Sequence, residues 1–235
     1  MGNGPRLLIV EDEAPIRNGL IDVFVYHGFE VDSTGDGHDG LRKALSGRYD
    51  LVLLDLMLPG IDGFDICNRI REQDRNQPII MLTAKTSDDD IIRGLTLGAD
   101  DYVAKPFSIA QLVLRVKAVL RRASADEDEV ETLVLSDLLC IDLRNLCGAR
   151  DGLRLSFTRR EIDLLAYLGR HASRPVSREE LLAEVWGYAR NLDIETRTVD
   201  IHIAKLRRKI ERNPKEPVNL VTVRGAGYRL MLAEA

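Results

Sequence analysis

The stretch that decides the fold is LVLLDLMLPG, residues 51–60. Its apolar residues predict a short strand buried on both faces, and Pro59-Gly60 marks the turn that follows. Asp55 interrupts this apolar run, so a carboxylate stands at the end of a buried strand. Taken alone, Asp55 would be interpreted as a turn or capping residue, since aspartate is common at such positions.

Strand-like and helical patterns alternate on both sides of this stretch. Apolar runs typical of strands lie at 6–10, 51–54 and 79–82, with weaker ones at 29–33 and 101–104. Helical patterns cover, approximately, 14–26, 37–46, 63–73, 87–97 and 108–122. Five such repeats predict a parallel sheet with helices on both faces, and ligands bind such sheets beyond the carboxyl ends of their strands.

Polar side chains follow four of the predicted strands, namely Glu11, Asp12, Asp55, Thr83 and Lys105. Carboxylates crowded within about 4–6 Å repel each other. A divalent cation that prefers oxygen ligands, Mg²⁺ or Mn²⁺, would remove that repulsion. An aspartate can also attack phosphorus to give an aspartyl phosphate. Mg²⁺ and the lysine would then neutralise phosphoryl oxygens, and the hydroxyl would donate a hydrogen bond to one.

Four segments, taken together, resemble the receiver domain of two-component response regulators: VEDE (10–13), DLMLPGIDG (55–63), TA (83–84) and GADDYVAKPF (98–107). The resemblance covers about residues 1–122. It implies an α/β flavodoxin-like fold, a doubly wound five-stranded parallel sheet of order 2-1-3-4-5. The strongest rival is a haloacid-dehalogenase-type phosphohydrolase, but Met57 stands where that family needs a second Asp as acid and base.

The resemblance implies roles for the acids. Asp55 is the phosphorylated residue. Mg²⁺ is held by Asp12, by Asp55 and by the backbone carbonyl of Met57, while Glu11 acts through water.

The resemblance also implies a switch around the phosphoryl group. Lys105 pairs with that group, and the Lys105–Pro106 bond is cis. Thr83 moves toward the phosphoryl group, the small Ala84 leaves room for it, and Tyr102 turns inward behind Thr83. For Tyr102 the alternative is an exposed strand aromatic.

The surface that this switch alters covers 86–122. In the OmpR/PhoB subfamily similar charges pair across a two-fold dimer, and Asp101 with Arg115 fits that scheme. Ile91 and Gln111 stand where the family often has a basic and an acidic residue, so one pair is missing. A solvated charged face is the alternative. The predicted dimer face comprises Arg93, Leu95, Asp100, Asp101, Val113, Arg115, Lys117 and Arg122.

The charge distribution predicts two domains. Residues 1–122 carry 15 Lys and Arg against 19 Asp and Glu, a net charge of −4, whereas residues 132–235 carry 18 against 14, a net charge of +4. Between them, ASADEDEVE (123–131) is charged, lacks periodicity and is interpreted as a linker. An acidic first domain and a basic second domain indicate different partners, with nucleic acid suggested for the second.

A basic amphipathic helix is predicted at 196–211. Val199, Ile203, Leu206 and Ile210 form its buried stripe, while Arg197, Ile201, Ala204, Lys205 and Arg208 fall opposite. Exposed apolar residues among bases suit a helix in a major groove, and an ordinary amphipathic helix is the alternative. The end, NLVTVRGAGYRLML, predicts a hairpin with Arg224 just before its tip.

The run from FTRREIDLLAYL through TRTVDIHIAKLRRKI to VTVRGAGYRL resembles the OmpR/PhoB winged-helix effector domain over about 132–233, an α+β winged helix-turn-helix fold. Ala204 stands where relatives often carry Arg. Segment 187–195 resembles a loop that contacts RNA polymerase in relatives, and a plain surface loop is the alternative. The DNA contacts that the family and the helical wheel predict are Arg197, Thr198, Ile201, His202, Lys205, Arg208 and, on the wing, Arg224.

The sequence thus predicts a cytoplasmic response regulator. A sensor histidine kinase donates phosphate to Asp55, the receiver forms a homodimer, and the effector domains bind direct repeats in promoter DNA. Phosphoryl transfer is self-catalysed and autodephosphorylation is slow, so the protein is not a turnover enzyme. The alternative is a receiver that is not phosphorylated and serves as a constitutive DNA-binding or scaffold protein.

Overall fold

The structure of the protein, a computed structural model, describes residues 4–83, 88–123, 132–188 and 197–233. The chain divides into two compact units, Met1–Ser124 and Ala125–Ala235, and each is described by itself. The predicted linker lies almost wholly outside the described residues, so its boundaries stay predictions. No helix in the described part of the chain is long and apolar enough to cross a membrane.

The first unit is a five-stranded parallel sheet with five helices. Its strands are β1 (Arg6–Val10), β2 (Glu30–Thr34), β3 (Leu51–Asp55), β4 (Ile79–Thr83) and β5 (Asp101–Ala104). Its helices are α1 (Ala14–Tyr26), α2 (Gly37–Ala44), α3 (Gly63–Gln73), α4 (Asp88–Leu97) and α5 (Ile109–Ala123). The strand order is β2-β1-β3-β4-β5 with every neighbouring pair parallel, which confirms the predicted topology.

The core of the first unit forms around the central strands because these are apolar along their whole length. Both β3 and β4 are buried throughout, including their terminal polar residues Asp55 and Thr83. Leu53 of β3 belongs to a cluster with Leu112 and Val116 of α5. The two polar residues therefore stand at the rim of a rigid apolar core.

Local signals fix where the helices near this rim begin. Asp36 and Asp62 precede α2 and α3, and each carboxylate accepts a hydrogen bond of 2.8 Å from the backbone N three residues on. Such caps satisfy an N–H that the helix itself cannot pair. At Gly63 a Cβ atom would collide with the Asp55 carbonyl oxygen, so glycine allows α3 to begin directly against the end of β3.

The second unit contains a four-stranded antiparallel sheet, three helices and a hairpin. The sheet comprises β6 (Thr132–Ser136), β7 (Leu139–Asp142), β8 (Cys147–Arg150) and β9 (Leu153–Ser156), in that order. The helices are α6 (Arg159–Arg170), α7 (Arg178–Glu184) and α8 (Arg197–Ile210). The hairpin of β10 (Leu220–Val223) and β11 (Gly227–Leu230) confirms the predicted one.

The core of the second unit confirms the predicted buried stripe of α8. Val199, Ile203, Leu206 and Ile210 all lie in one apolar cluster with the fully buried Trp186. Helix α6 begins with a capping box formed by Thr158 and Glu161. That box pairs two N–H groups at the helix start.

Candidate functional site

Three strand ends bring acids and a lysine together in the first unit. Glu11 and Asp12 follow β1, Asp55 ends β3 and Lys105 follows β5. Each of the three acids offers one carboxylate oxygen, and these oxygens lie within 4.8 Å of one another. The ammonium of Lys105 lies 2.8 Å from Glu11 Oε1 and 2.9 Å from Asp55 Oδ2. The sheet edge thus gathers the four residues as the sequence predicts.

Burial sets the electrostatics of this cluster. Glu11 is fully buried, and its net pKa is raised to about 7, because burial and the charge of Asp55 raise it more than Lys105 lowers it. Burial lowers the pKa of Lys105, but its hydrogen bonds to Glu11 and Asp55 outweigh burial and leave the net pKa above its ordinary value. One ammonium therefore faces more carboxylate charge than it neutralises.

The acid cluster fits a hard divalent cation. Among the described residues, Glu11 Oε2 is buried without a hydrogen-bond partner, and Asp12 is exposed beside it. Carboxylate oxygens are the donors that Mg²⁺ accepts in proteins, with several waters retained. Met57 lies next to these oxygens, since its backbone N donates to Asp55 Oδ1 at 3.3 Å. The predicted role of its carbonyl as a ligand stays a prediction.

The predicted switch residues lie at the ends of β4 and β5. Thr83 is 1 % exposed, and its carbonyl accepts a hydrogen bond of 2.6 Å from the backbone N of Lys105. The Lys105–Pro106 bond is cis, as the resemblance implies. Tyr102 is 8 % exposed, so the alternative of an exposed aromatic is wrong. Ala84 lies outside the described residues.

Two residues at this site were missed from the sequence. Glu13 Oε1 lies 3.2 Å from the Lys105 ammonium, and its position directly after Asp12 in an acidic run was the available signal. Arg17 of α1 donates from Nη1 to the carbonyls of Glu11 and Asp12, at 2.6 and 3.0 Å. No pattern in the sequence shows that a helix residue fixes the loop before it.

In the second unit, α8 and the hairpin are joined by polar contacts. Tyr228 of β11 donates to Asp200 of α8 at 2.6 Å, and Arg178 of α7 contacts both, at 2.7 Å to Asp200 and 2.8 Å to the Tyr228 hydroxyl. Arg207 donates to the carbonyl of Leu220 at 2.8 Å. Helix and hairpin are therefore held in a fixed relation, with Arg224 exposed at the hairpin tip.

Comparison with known proteins places both units in one family. The family model described as response regulator receiver domain matches residues 7–117, and the one described as transcriptional regulatory protein, C terminal, matches residues 152–230. The DNA-binding response regulator MtrA of Mycobacterium tuberculosis is 43% identical over 224 residues, which cover 95% of this chain and 96% of that protein. The chain belongs to the OmpR/PhoB family of response regulators.

Other relatives of this response regulator match nearly its whole length. The alkaline phosphatase synthesis transcriptional regulatory protein PhoP of Bacillus subtilis is 41% identical over 233 residues, with 96% of each chain covered. Among solved structures, the C128D mutant of RitR matches with a TM-score of 0.75 at 28% identity, covering 98% of this chain and 100% of that one. DrrB of Thermotoga maritima, an OmpR/PhoB homolog, matches with a TM-score of 0.52 at 30% identity, covering 97% and 99%.

The chain is thus a DNA-binding response regulator. Its receiver domain and its C-terminal DNA-binding domain support phosphorylation-dependent regulation of transcription, and they imply a sensor kinase and DNA as partners. It is a transcription factor rather than an enzyme of the phosphohydrolase class considered from the sequence.

Several residues of the predicted dimer face of this response regulator are buried in the single chain. Leu95, Asp100, Asp101 and Val113 are buried within the single chain, so their exposure gives no support to a contact with a second receiver. Asp101 pairs with Arg115 of its own chain at 2.8 Å, and a pairing of these two residues across a dimer stays a prediction. Asp100 pairs with Arg71 at 2.9 Å and accepts from the Ile79 backbone N at 2.8 Å. Arg93 and Lys117 are exposed, whereas the side chains of Arg122 and Ile91 lie outside the described residues.

Several residues predicted to contact DNA are buried, among them Ile201 and Lys205, which the helical wheel placed on the outer side of α8. Thr198, Ile201, His202 and Lys205 are 2, 8, 1 and 8 % exposed. Lys205 pairs with Glu161 of α6 at 3.1 Å, and the His202 ring packs on Trp186 with ring centres 5.2 Å apart. Ala204, Arg208 and Arg224 are exposed as predicted. The side chain of Arg197 lies outside the described residues.

Proposed function

We propose that Asp55 accepts a phosphoryl group from a phosphohistidine of the sensor kinase. The observation that carries this proposal is the position of Lys105, whose ammonium lies 2.9 Å from Asp55 Oδ2 among three clustered carboxylates. Phosphoryl transfer depends on positioning and on neutralising charge more than on covalent machinery. The cluster supplies both at the carboxyl end of a rigid sheet.

In this proposal Asp55 attacks phosphorus, and the neighbouring residues neutralise charge on the phosphoryl group or orient the carboxylate. A carboxylate oxygen of Asp55 forms a bond to phosphorus while the bond from phosphorus to the histidine nitrogen breaks, and the imidazole leaves with a proton from solvent. Lys105 shifts to a phosphoryl oxygen, and the Thr83 hydroxyl donates a hydrogen bond to another. The Met57 N–H, 3.3 Å from Asp55 Oδ1, holds the carboxylate in orientation.

Glu11, Asp12, Asp55 and the Met57 carbonyl would hold Mg²⁺, with Mn²⁺ as a substitute. When bound, this ion neutralises carboxylates and phosphoryl oxygens together. The transfer is self-catalysed by the receiver, and slow attack of water on the aspartyl phosphate resets it. One phosphoryl group is therefore held per chain, without turnover.

Phosphorylation favours a homodimer through the receiver face 86–122. Arg93 and Lys117 are the members of that face whose exposure supports a contact with a second chain. Gln111 is exposed on α5, and the missing charge pair at Ile91 and Gln111 makes this dimer weaker than a fully paired one. An isologous dimer uses the same patch on both chains.

The effector domain binds promoter DNA through α8 and the hairpin. The exposed Ala204 and Arg208 face the major groove, and Arg224 enters the adjacent minor groove. Arg197 joins them at the start of α8. Two domains of a dimer read direct-repeat half-sites about one DNA turn apart. Segment 187–195 contacts RNA polymerase. The protein acts in the cytoplasm, where it can reach both DNA and the sensor kinase.

The test is incubation with acetyl phosphate and Mg²⁺, followed by intact mass. We expect the mass to rise by one phosphoryl group. Asp55→Asn abolishes the gain, whereas Asp74→Asn, a matched exposed acid at the far end of α3, keeps it. Release of many phosphates per chain would instead show a hydrolase. DNA binding with no mass gain would show a constitutive DNA-binding protein.

A further inference from the structure

A single buried carboxylate joins α6 to α8. Glu161 is fully buried, and its Oε1 lies 3.1 Å from the ammonium of Lys205 and its Oε2 2.6 Å from that of Lys209. Oε2 also accepts a hydrogen bond of 2.8 Å from the backbone N of Thr158. The residue that completes the capping box of α6 thus also binds two lysines on successive turns of α8.

The charge on Glu161 is held by these lysines. Burial raises the pKa of this carboxyl, but the charges of Lys205 and Lys209 outweigh burial and bring the net pKa below its usual value. An ionised carboxylate inside a domain requires such partners, since an unpaired buried charge is strongly unfavourable. The ammonium groups of both lysines are therefore held against Glu161 of α6.

The neighbouring side of α8 is filled as well. The His202 ring packs edge-on against Trp186, and the guanidinium of Arg160 lies 5.3 Å from the centre of the same indole ring. Burial, followed by the charges of Lys205, Arg160 and Lys209, lowers the pKa of His202 well below its usual value, so the ring is neutral. Within the described ranges, both of its ring nitrogens lack a hydrogen-bond partner.

We propose that Glu161 is a positioning residue for DNA recognition: by binding Lys205 and Lys209 it holds both ammonium groups against α6, so that Arg208 and Ala204 face DNA while the Lys205 ammonium does not. This inference rests on the proposed role of α8 as the DNA-reading helix. It withdraws Lys205 from base recognition, although the helical wheel places Lys205 on the same side as Arg208.

The consequence is measurable in the salt dependence of DNA binding. Each phosphate neutralised by a lysine or arginine contributes about −0.9 to the slope of log affinity against log salt concentration. Arg208 should contribute to that slope and Lys205 should not. If the carboxylate is removed, the long lysine stem can carry the ammonium outward to the DNA.

The experiment uses the full chain and a duplex that this chain enriches from random sequence. We expect Lys205→Met to leave the DNA affinity within about twofold, with the salt slope and the preferred bases unchanged. Arg208→Gln should make the negative salt slope shallower by about 0.9. Glu161→Gln should steepen the slope by about the same amount, and the double variant Glu161→Gln with Lys205→Met should restore it. Glu161→Asp, which keeps the charge, should stay close to the unmodified chain.

The outcomes separate this inference from the function on which it rests. If Arg208→Gln changes nothing, the role of α8 in DNA reading fails. If Arg208→Gln and Lys205→Met both make the salt slope shallower, only the inference about Glu161 is overturned. A purely structural Glu161 would lower stability without a change in slope that depends on Lys205. If Glu161→Gln does not fold, as Trp186 fluorescence would show, the Lys205 and Arg208 variants still decide.

Discussion

The ammonium of Lys105 lies 2.9 Å from Asp55 Oδ2, although 50 residues separate the two in the chain. The same nitrogen lies 2.8 Å from Glu11 Oε1, although 94 residues separate Lys105 from Glu11. Parallel strands make this possible because their carboxyl ends share one edge of the sheet. The contact places a cation beside the proposed phosphorylated residue before any phosphate arrives.

The burial of Glu11 predicts a pH-dependent stability of the metal-free receiver. Its pKa is raised from 4.5 to about 7 in the folded chain. Between these values the folded state binds more protons than the unfolded state, so the unfolding free energy falls as pH rises. We expect the difference between the unmodified chain and Glu11→Gln to change across this window in calorimetric melts with EDTA. The single Trp186 reports the second unit as an internal reference. A difference that is flat from pH 4.5 to 7 would contradict the assignment.

Mg²⁺ should stabilise the receiver through the acid cluster. Binding to the folded state alone raises the melting temperature with ion concentration. Asp12→Asn should weaken the apparent Mg²⁺ affinity by at least the 10–100-fold that loss of an outer-shell partner typically costs. Asp74→Asn is the matched control, because Asp74 is exposed at the far end of α3 and lies outside the cluster of three acids. Equal effects of the two variants in Mg²⁺ titrations would argue against the proposed ligand set.

The buried pair of Arg71 and Asp100 should hold α3 against the start of β5. Arg71 also donates to the carbonyls of Gly98 and Gln77. Arg71→Met breaks a buried pair and should lower the unfolding free energy of the receiver by about 3–5 kcal/mol. Arg6→Met removes the exposed pair with Glu30 and should cost about 0–1 kcal/mol. Urea unfolding followed by circular dichroism measures both, and similar losses would refute the distinction by burial.

The hydroxyl of Tyr228 should fix the hairpin relative to α8. Tyr228→Phe removes hydrogen bonds to Asp200 and Arg178, which are charged groups, so the second unit should lose about 1.5–3 kcal/mol. DNA affinity should fall as Arg224 loses its fixed position. Tyr26→Phe is the control, since Tyr26 is 86 % exposed in the first unit. Unchanged Trp186 unfolding and unchanged DNA binding in Tyr228→Phe would rule this role out.

The positions of the side chains at the acid cluster and of the structural side chains were predictable to different degrees. Glu11, Asp55, Thr83 and Lys105 were located from the sequence because each follows a short apolar strand, and the direction of parallel strands alone brings such ends together. Glu13 and Arg17 were not predicted as site residues, because their contacts depend on the conformation of the loop after β1 and on the orientation of α1. The helical wheel gave the buried stripe of α8 correctly, since apolar spacing reports which side meets the core.

From its apolar periodicity and chain direction, which are local properties, the sequence determined a parallel α/β sheet and the edge of it that carries the chemistry, while the strand order and the winged-helix fold came from the family resemblance of its motifs. Only the tertiary structure decided which charged residues face outward. Asp101 and Arg115 pair within one receiver, and Lys205 pairs with Glu161 on another helix. The partner of a charged residue depends on which elements pack against it. Arg115 lies 14 residues from Asp101 in the chain, and Lys205 lies 44 residues from Glu161, so local sequence does not identify either pair.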